Sequence, residues 1–358
     1  MRASIKQYDA VVIGAGPAGA SAAKELADRG FSTALLEKRK RIGIPVRCAE
    51  FIPRFLNSYC DIPACSIAQK IEHMETYLPD ESREVTSAPG YVVHRFLFDK
   101  QLAAQAVKAG AVLYIGTKAL KTNNNEVVAF RGNRTVVFKT KVIIGADGPN
   151  SIVRKAIGAK KPPMVNALQA EVVLKQEQLN TQVFFHHLIY GGYAWFFPKG
   201  NTANVGLGMI NQGGDSVRKG WQELIRLFNI ESPLSYTGGQ IPVGGLVKHL
   251  VKDNMLLVGD AAGLTHPITG AGISNAVISG KMAGAAAADA LAAGDYSCLN
   301  TYKEDVEDLF GNSLRLAVAN RKYQEANWSN DLDTLTGVIK KTWVAFPGYG
   351  LKKQERGF

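Results

Sequence analysis

The feature that most constrains the fold is a glycine-rich turn near the amino terminus. Gly14, Gly16 and Gly19 have the spacing G-x-G-x-x-G, between a β-branched run at residues 8–13 and an alanine-rich stretch at residues 17–29. Glycine permits a tight turn and a close approach of the backbone to a pyrophosphate, and the N terminus of the helix stabilises the phosphate charge. The sequence therefore predicts a strand, a nucleotide-binding turn and a helix.

A second predicted strand, residues 32–37, completes a βαβ unit and ends on an acidic residue. Glu37 would accept hydrogen bonds from ribose hydroxyls and repel a 2′-phosphate. Pro17 and Ala18, which begin the helix, and Lys38 are predicted to complete this part of the site. The unit alone leaves FAD and NAD undecided, because both nucleotides use it.

Two later segments have an aspartate beside a glycine at the end of a predicted strand. They are residues 143–151, with Asp147, and residues 256–263, with Asp260. Together with the first turn they resemble the three fingerprints of FAD enzymes with the para-hydroxybenzoate hydroxylase fold. The resemblance implies that Asp260 hydrogen-bonds the ribityl chain and that the following loop approaches the isoalloxazine ring. The predicted contacts in that loop are Gly270, Gly272 and Ile273.

The same resemblance implies FAD contacts from Arg95, which stands before a helix predicted at residues 99–110, and from Ala119. An Arg95–Asp99 charge pair at the start of that helix is the structural alternative. No second G-x-G-x-x-G stands between a strand and a helix. The electron donor is therefore predicted to dock transiently, either as NAD(P)H or as a reduced redox protein.

Two segments narrow the enzyme class. Residues 42–50 include Pro-Val-Arg-Cys, and residues 193–199 read Tyr-Ala-Trp-Phe-Phe-Pro-Lys. Both resemble archaeal-type geranylgeranyl reductases, and with the FAD fingerprints the resemblance covers about residues 5–275. It implies that reduced FAD reduces isolated double bonds of a polyprenyl lipid or side chain, a reaction that also needs a proton donor.

The resemblance also implies particular residues. Cys48 would lie beside the flavin and act in catalysis, with Arg47 and Ala49 as further FAD contacts. A buried structural cysteine is the alternative. Phe51 departs from the family, which often has glycine there. The predicted substrate residues, which could instead fill the core of a sheet, are Tyr193, Trp195, Phe197 and Pro198.

The predicted fold class is α/β, or α+β overall. A Rossmann-like FAD-binding domain made of residues 1–70, 91–160 and 241–298 is interrupted by a substrate domain. That second domain, residues 71–90 and 161–240, has alternating aromatic segments that predict an antiparallel sheet. Residues 299–358 are predicted to form a short helical C-terminal region.

Charge and cysteine content limit the partners. The 42 lysine and arginine residues against 31 acidic ones give a formal charge of +11, but no block of like charges indicates nucleic-acid binding. The four cysteines form no C-x-x-C pair, so reduced cytosolic thiols and no metal site are expected. The apolar residues 283–293 are too few to span a membrane. A cytoplasmic protein is predicted, with an isoprenoid substrate and an open oligomeric state.

Peripheral contact with the inner face of a membrane is also left open. A bilayer-surface contact or a packed tail would both explain a group of aromatic and basic residues near the C terminus. These are Trp343, Phe346, Tyr349, Lys352, Lys353 and Arg356.

Three rival functions fit parts of the pattern. An FAD-dependent aromatic monooxygenase would share every FAD fingerprint, and a flavin halogenase would share part of the tyrosine–tryptophan block. A non-catalytic flavin- or lipid-binding protein would bind flavin that no donor reduces. Anaerobic alkene reduction would distinguish a reductase from all three.

Overall fold

The structure, a computed structural model, describes residues 4–213 and 215–350 and is built on two eight-stranded sheets. The strands are β1 (Ser4–Ile13), β2 (Thr33–Leu36), β3 (Phe51–Pro53), β4 (Ile67–Tyr77), β5 (Arg83–Val93), β6 (Val112–Tyr114), β7 (Thr117–Asn123), β8 (Glu126–Arg131), β9 (Arg134–Gly145), β10 (Met164–Val173), β11 (Thr181–Phe184), β12 (Tyr193–Lys199), β13 (Thr202–Met209), β14 (Ser235–Pro242), β15 (Val251–Lys252) and β16 (Met255–Leu257). The α-helices are α1 (Pro17–Asp28), α2 (Arg95–Lys108), α3 (Ile152–Ala156), α4 (Ser216–Leu227), α5 (Ile273–Ala293), α6 (Leu299–Val306), α7 (Asn312–Ala326) and α8 (Leu332–Thr342).

The first sheet has the strand order β15-β16-β9-β1-β2-β6, with the β7–β8 hairpin attached to β9. Strands β16, β9, β1, β2 and β6 run parallel. All four residues of β2 are buried, as expected for a parallel strand covered on both faces. The predicted Rossmann-like α/β architecture is confirmed, and the carboxyl ends of its parallel strands meet at one edge, where ligands bind in such sheets.

The second sheet has the order β14-β10-β13-β12-β11-β4-β5-β3. Its neighbouring strands are antiparallel except for the parallel pair β4–β11. Strand β3 and the start of β4, at Ile67, pair in this sheet, so it also uses residues before position 71. The residues of β12 that predicted the sheet lie near its centre.

One helix begins earlier than the sequence predicts, and another begins where it predicts, after the loop ending near Gly272. Helix α2 starts at Arg95 rather than Asp99, because Arg95 already forms a one-turn ion pair with Asp99 inside the helix. Helix α5 starts at Ile273, directly after Gly272, and has 21 residues.

Helix α5 is therefore long and apolar enough to cross a membrane by length and composition, whereas the apolar residues 283–293 alone are only its C-terminal half. However, 56% of its most apolar window is buried inside the protein. A Cβ on Gly280 would lie 2.2 Å from the carbonyl oxygen of Ala18, so α5 packs directly on α1. The contact identifies α5 as a core helix of the nucleotide-binding sheet.

Residues 299–350 are largely helical, as predicted, with a π-helical turn, Glu307–Gly311, joining α6 to α7. They pack against both sheets. The side chain of Trp343 is 2% exposed, so this aromatic residue is part of the core. The basic residues Lys352, Lys353 and Arg356, considered above for membrane contact, lie outside the described residues.

Candidate active site

The glycine turn lies between β1 and α1 and leaves open space in front of the helix. Gly14 has φ +104°, and a Cβ there would lie 2.2 Å from the carbonyl oxygen of Ala146. A Cβ on Gly19 would lie 1.8 Å from the carbonyl oxygen of Gly14. In contrast, a Cβ on Gly16 would meet no atom within 4 Å. The first N–H groups of α1, which begins at Pro17, have no partner within the helix and can bind an anion in that space.

The carboxylate of Glu37 is fixed beside this turn. Its Oε2 accepts the N–H of Ala15 (3.1 Å) and its Oε1 that of Arg39 (2.8 Å). Strand β7, which carries half-buried Ala119, begins with an N–H bond to the carbonyl of Glu37 (2.8 Å). Lys38 is exposed. The structure thus brings Glu37 and the strand of Ala119 to the same edge of the sheet as the glycine turn.

Asp147 follows β9 at this edge. One carboxylate oxygen accepts the N–H of Ile152 (2.7 Å), and the other is buried with no hydrogen-bond partner among the described residues. Burial raises the pKa of Asp147. Arg154 donates to the carbonyls of Pro149 (2.7 Å) and Ala261 (3.5 Å), which ties this loop to the loop after β16. The unpartnered oxygen could accept a hydrogen bond from a ligand hydroxyl.

Asp260 lies in the turn after β16 and faces the start of α5. Thr265 donates its hydroxyl to Asp260 Oδ1 (2.7 Å), and a Cβ on Gly272 would lie 3.3 Å from the same oxygen. Burial raises the pKa of Asp260. Gly270 has φ +67°, which favours glycine, and the half-buried Ile273 is the first residue of α5. This carboxylate and the glycine loop therefore form one continuous surface.

Arg95 connects that surface to the Cys48 segment. Its guanidinium binds both carboxylate oxygens of Asp99 (2.9 and 3.0 Å), so the charge pair considered as an alternative is present. Its positive charge also acts on Cys48 and Asp260, where it partly offsets the larger effect of burial on each pKa. The ion pair does not exclude a role beside a ligand.

Cys48 is half-buried, and its sulfur and its backbone carbonyl oxygen both accept hydrogen bonds. Burial raises the pKa of the thiol. The sulfur accepts the N–H of Glu50 (3.2 Å), and the carbonyl oxygen of Cys48 accepts the side-chain amide of Gln169 (3.1 Å). At neutral pH the group is therefore a protonated thiol in a defined position.

The neighbours of Cys48 differ in exposure. Arg47 is exposed, and its aliphatic chain lies against β14, since a Cβ on Gly239 would be 3.4 Å from its Cδ. The half-buried Ala49 accepts a hydrogen bond from Asn204 at its carbonyl oxygen (3.2 Å). Arg47 therefore lies at the rim of this segment and Ala49 within it.

Three of the predicted substrate residues, Tyr193, Trp195 and Phe197, share one face of the second sheet, whereas Pro198 alternates with them on the face of Phe196. Tyr193 donates its hydroxyl to the carbonyl of Thr269 (2.5 Å), and Trp195 donates its indole N–H to Gln169 Oε1 (3.0 Å). Burial, and then the nearby Cys48, raise the pKa of Tyr193. Gln169 thus joins Trp195 to the Cys48 backbone, while Tyr193 joins β12 to the loop at residues 266–272.

The rest of this block is divided between the two faces of the sheet. Phe197 and Pro198 are buried, and the ring of Phe197 packs edge-on against Phe51, the residue that departs from the family (6.2 Å between centroids). Phe196 instead packs against Phe228 on the opposite face (5.4 Å). Alternation along a strand accounts for this division.

The C-terminal region contributes residues that the sequence motifs do not reveal. Trp343 packs edge-on against Tyr193 (5.0 Å between centroids) and donates its indole N–H to Thr76 Oγ1 (3.2 Å). His266 shares a hydrogen bond with Tyr349 (2.9 Å), and burial lowers the pKa of His266 to about 4. In the sequence, Trp343 and Tyr349 stand out locally by their aromatic rings alone, and aromatic residues are also typical of an ordinary hydrophobic core.

Known protein families match both the nucleotide-binding unit and the second sheet. Residues 12–64 match a family model described as an NAD(P)-binding Rossmann-like domain, and residues 164–231 match one described as a geranylgeranyl reductase catalytic domain. A digeranylgeranylglycerophospholipid reductase of Methanocaldococcus jannaschii is 35% identical over 370 aligned positions, covering 97% of this chain and 93% of the relative.

Solved structures agree with the fold. A geranylgeranyl bacteriochlorophyll reductase-like protein of Thermoplasma acidophilum has a TM-score of 0.83 at 26% identity, covering 95% of this chain and 97% of its own. A flavin-dependent brominase has a TM-score of 0.71 at 19% identity, covering 98% and 97%. At that identity the brominase shares the fold alone, so it lends no support to a halogenase reaction.

Proposed function

Because the chain belongs to the geranylgeranyl reductase family, being 35% identical to a relative over 97% of its length, we propose that it is an FAD-dependent reductase of carbon–carbon double bonds in a polyprenyl lipid. The observation that carries the proposal is the convergence of the glycine turn, the Asp147 and Asp260 loops and the Cys48 segment at one edge of the first sheet. Sequence similarity to lipid reductases along nearly the whole chain supports the substrate class.

The residues at that edge fit FAD. The backbone in front of α1, open at Gly16, would hold the pyrophosphate, and Glu37 would bind the ribose of the adenosine. Asp260 would bind the ribityl chain, and the unpartnered oxygen of Asp147 offers one further acceptor. Gly272 would let the backbone approach the isoalloxazine ring. Lys38, Arg47, Ala119 and the other predicted contacts share these segments.

Bound and reduced, FAD would supply a hydride, and the protein must supply the proton. Cys48 is the best candidate for the proton donor because burial keeps its thiol protonated and its sulfur already faces two donors, the Glu50 N–H and the Arg95 guanidinium. Those donors would stabilise the thiolate left after transfer, and the thiol hydrogen would point away from them. The hydroxyl of Tyr193 is already engaged with Thr269, which favours a role in positioning.

Reduction of an isolated alkene requires an apolar binding surface from which water is excluded. Tyr193, Trp195 and Phe197 would provide one side of this surface, an aromatic wall, and Trp343 extends it from the C-terminal region. Each buried methylene of an isoprenoid chain contributes about 0.8 kcal/mol, so a chain along this wall would bind without ionic contacts. The aromatic wall also excludes water that would compete for the proton.

Several finer assignments are proposals of the same kind. The electron donor would be NAD(P)H or a reduced redox protein, docking transiently. The protein would work in the cytoplasm, including at the inner face of the membrane where its lipid substrate lies. The FAD-binding and substrate domains would divide as the sequence predicts, with β3 and the start of β4 added to the substrate side.

The deciding experiment is anaerobic. The flavin-loaded protein is reduced with dithionite, excess reductant is removed, and flavin re-oxidation is followed at its visible absorbance after adding geranylgeranyl lipids. Saturated product is identified by mass spectrometry. We expect re-oxidation coupled to product, whereas re-oxidation only on admitting oxygen would refute a reductase.

The same assay tests Cys48. We expect Cys48→Ala to bind FAD normally and to slow lipid-driven re-oxidation by about 100-fold. This is the lower end of the effect of losing a general acid, which ranges from about 100-fold to about 10,000-fold. The matched control is Cys60→Ala, a half-buried cysteine whose pKa is also raised by burial. An unchanged rate for Cys48→Ala would remove this thiol from the reaction.

A further inference from the structure

We propose that Glu50 is a positioning residue: it holds the Cys48 thiol in place by joining the residue 47–50 segment to α2 and to the second sheet. The inference rests on the proposed function for its effect on turnover. Its effect on the thiol itself can be measured without any lipid substrate.

The carboxylate of Glu50 is a buried junction. Glu50 is 1% exposed, and Lys199 has a side chain that is 6% exposed. Glu50 Oε1 accepts the N–H of Arg95 (2.7 Å), while Oε2 accepts Lys199 Nζ (2.5 Å) and the amide of Asn204 (2.7 Å). Buried charges persist only when paired and hydrogen-bonded, and this carboxylate has three donors from three separate elements.

The backbone conformation of Glu50 connects this junction to the thiol of Cys48. Glu50 has φ +74°, a left-handed conformation that non-glycine residues rarely adopt. In that conformation its N–H lies 3.2 Å from Cys48 Sγ. A salt bridge that served stability alone would not require a left-handed residue. The carboxylate anchors therefore impose a backbone geometry whose product is a hydrogen bond to the thiol sulfur.

The charges around Cys48 determine how the thiol should respond to a change at Glu50. The carboxylate of Glu50 raises the pKa of Cys48, and Arg95 lowers it, both less strongly than burial raises it. Tyr193 is another ionisable group in electrostatic contact with the thiol. Glu171 lies 3.9 Å from Lys199, and His94 also interacts with that lysine. The N–H of Glu50 lowers the pKa of Cys48 more strongly than the carboxylate raises it. Releasing the segment should therefore raise the pKa of the thiol, whereas removing the charge from a segment that stays in place should lower it.

The test uses the flavin-loaded protein in which Cys60, Cys65 and Cys298 are replaced by serine, so that Cys48 is the single thiol. Glu50→Gln keeps the side-chain shape, whereas Glu50→Gly relieves the left-handed backbone and removes the carboxylate. The matched control is Glu72→Gln, which removes a carboxylate from an exposed ion pair with Arg54. The readouts are the rate of Cys48 alkylation by iodoacetamide against pH, the Kd for FAD, and single-turnover re-oxidation by geranylgeranyl lipid.

We expect both Glu50 variants to alkylate at least about threefold more slowly near neutral pH, with the midpoint of the pH profile moved upward, as the thiolate fraction falls with a higher pKa. Single turnover at saturating lipid should slow by about 10- to 100-fold, because small misplacement of a reacting group has that effect. The Kd for FAD and the apparent affinity for lipid should change by less than about threefold, because the glycine turn, Glu37, Asp260 and the aromatic residues lie outside the residue 47–50 segment. Glu72→Gln should match the parent throughout.

The outcomes separate this inference from the proposed function. An alkylation rate that is parental or faster, or parental turnover, in both Glu50 variants would overturn it. If Glu50→Gln fails to fold, the double variant Glu50→Gln with Lys199→Met removes both buried charges, a change that proteins often tolerate. Slower alkylation of the double variant then supports the inference, and a parental or faster rate overturns it. If the parent reduces no polyprenyl lipid but alkylation slows in the Glu50 variants, the proposed function fails and the positioning role stands.

Discussion

Gly16 and Gly19 stand three residues apart in one turn, and the structure assigns them opposite roles. Gly16 has φ −77° and ψ −175°, an extended conformation that alanine adopts freely, and its Cβ would meet no protein atom within 4 Å. We expect Gly16→Ala to change the free energy of unfolding of the apoprotein by less than about 1 kcal/mol. The added methyl group would instead occupy the space proposed for the pyrophosphate.

The magnitude for Gly16→Ala follows from the contact that it removes. A hydrogen bond to a charged group contributes about 1.5–3 kcal/mol, so FAD should bind about 10- to 150-fold more weakly. The Kd is measured by titrating apoprotein with FAD and following flavin fluorescence. Parental affinity would refute the assignment of this turn to the pyrophosphate.

Gly19→Ala should destabilise the folded protein itself, whereas Gly16→Ala should weaken FAD binding. Its Cβ would lie 1.8 Å from the carbonyl oxygen of Gly14 and 3.0 Å from the Cβ of Ala146, so α1 would have to move. Overpacking of this kind lowers the free energy of unfolding by about 1–3 kcal/mol or more, with or without FAD. Urea unfolding followed by circular dichroism measures it. The control is Gly337→Ala in α8, where a Cβ meets nothing within 4 Å and alanine should be neutral or stabilising.

Two further predictions concern the loop and C-terminal region around the aromatic wall. Trp343→Ala should lower the free energy of unfolding by about 3–5 kcal/mol, as for other large buried aromatic residues. Trp343→Phe should lower it by about 1 kcal/mol, because the hydrogen bond to Thr76 is lost. Urea unfolding measures both values, and a loss below about 1 kcal/mol for Trp343→Ala would contradict the burial of this residue. Because the folded-state pKa of His266 is lowered to about 4, its neutral form contributes stability above its ordinary value of 6.5 that is lost as pH falls toward 4, up to about 3 kcal/mol. His266→Gln should therefore flatten the decline of Tm between these pH values, and an unchanged decline would mean that His266 does not titrate in this range.

Local sequence was sufficient for the nucleotide-binding unit. The turn at Gly14–Gly19 joins elements adjacent in the chain, and its glycine requirements follow from backbone sterics alone. Alternation along β12 likewise separates Phe196 from Trp195 and Phe197, although the three residues form one aromatic group in the sequence. The predicted start of α2 was wrong because an acidic residue is equally typical of a first turn and of a one-turn ion pair.

Only the tertiary structure determined what surrounds Cys48. Glu50 meets Lys199 across 149 positions of the chain, and Trp343 meets Thr76 across 267. Nothing in the local pattern of either residue specifies its partner, because a buried charge or ring is stabilised by whichever distant element the topology brings to it. The sequence by itself determined the strand, the glycine turn and the helix, and from them the prediction that a nucleotide binds with its phosphates at this turn. The packing of two sheets and a C-terminal helical region decided which side chains hold the thiol and form the aromatic wall.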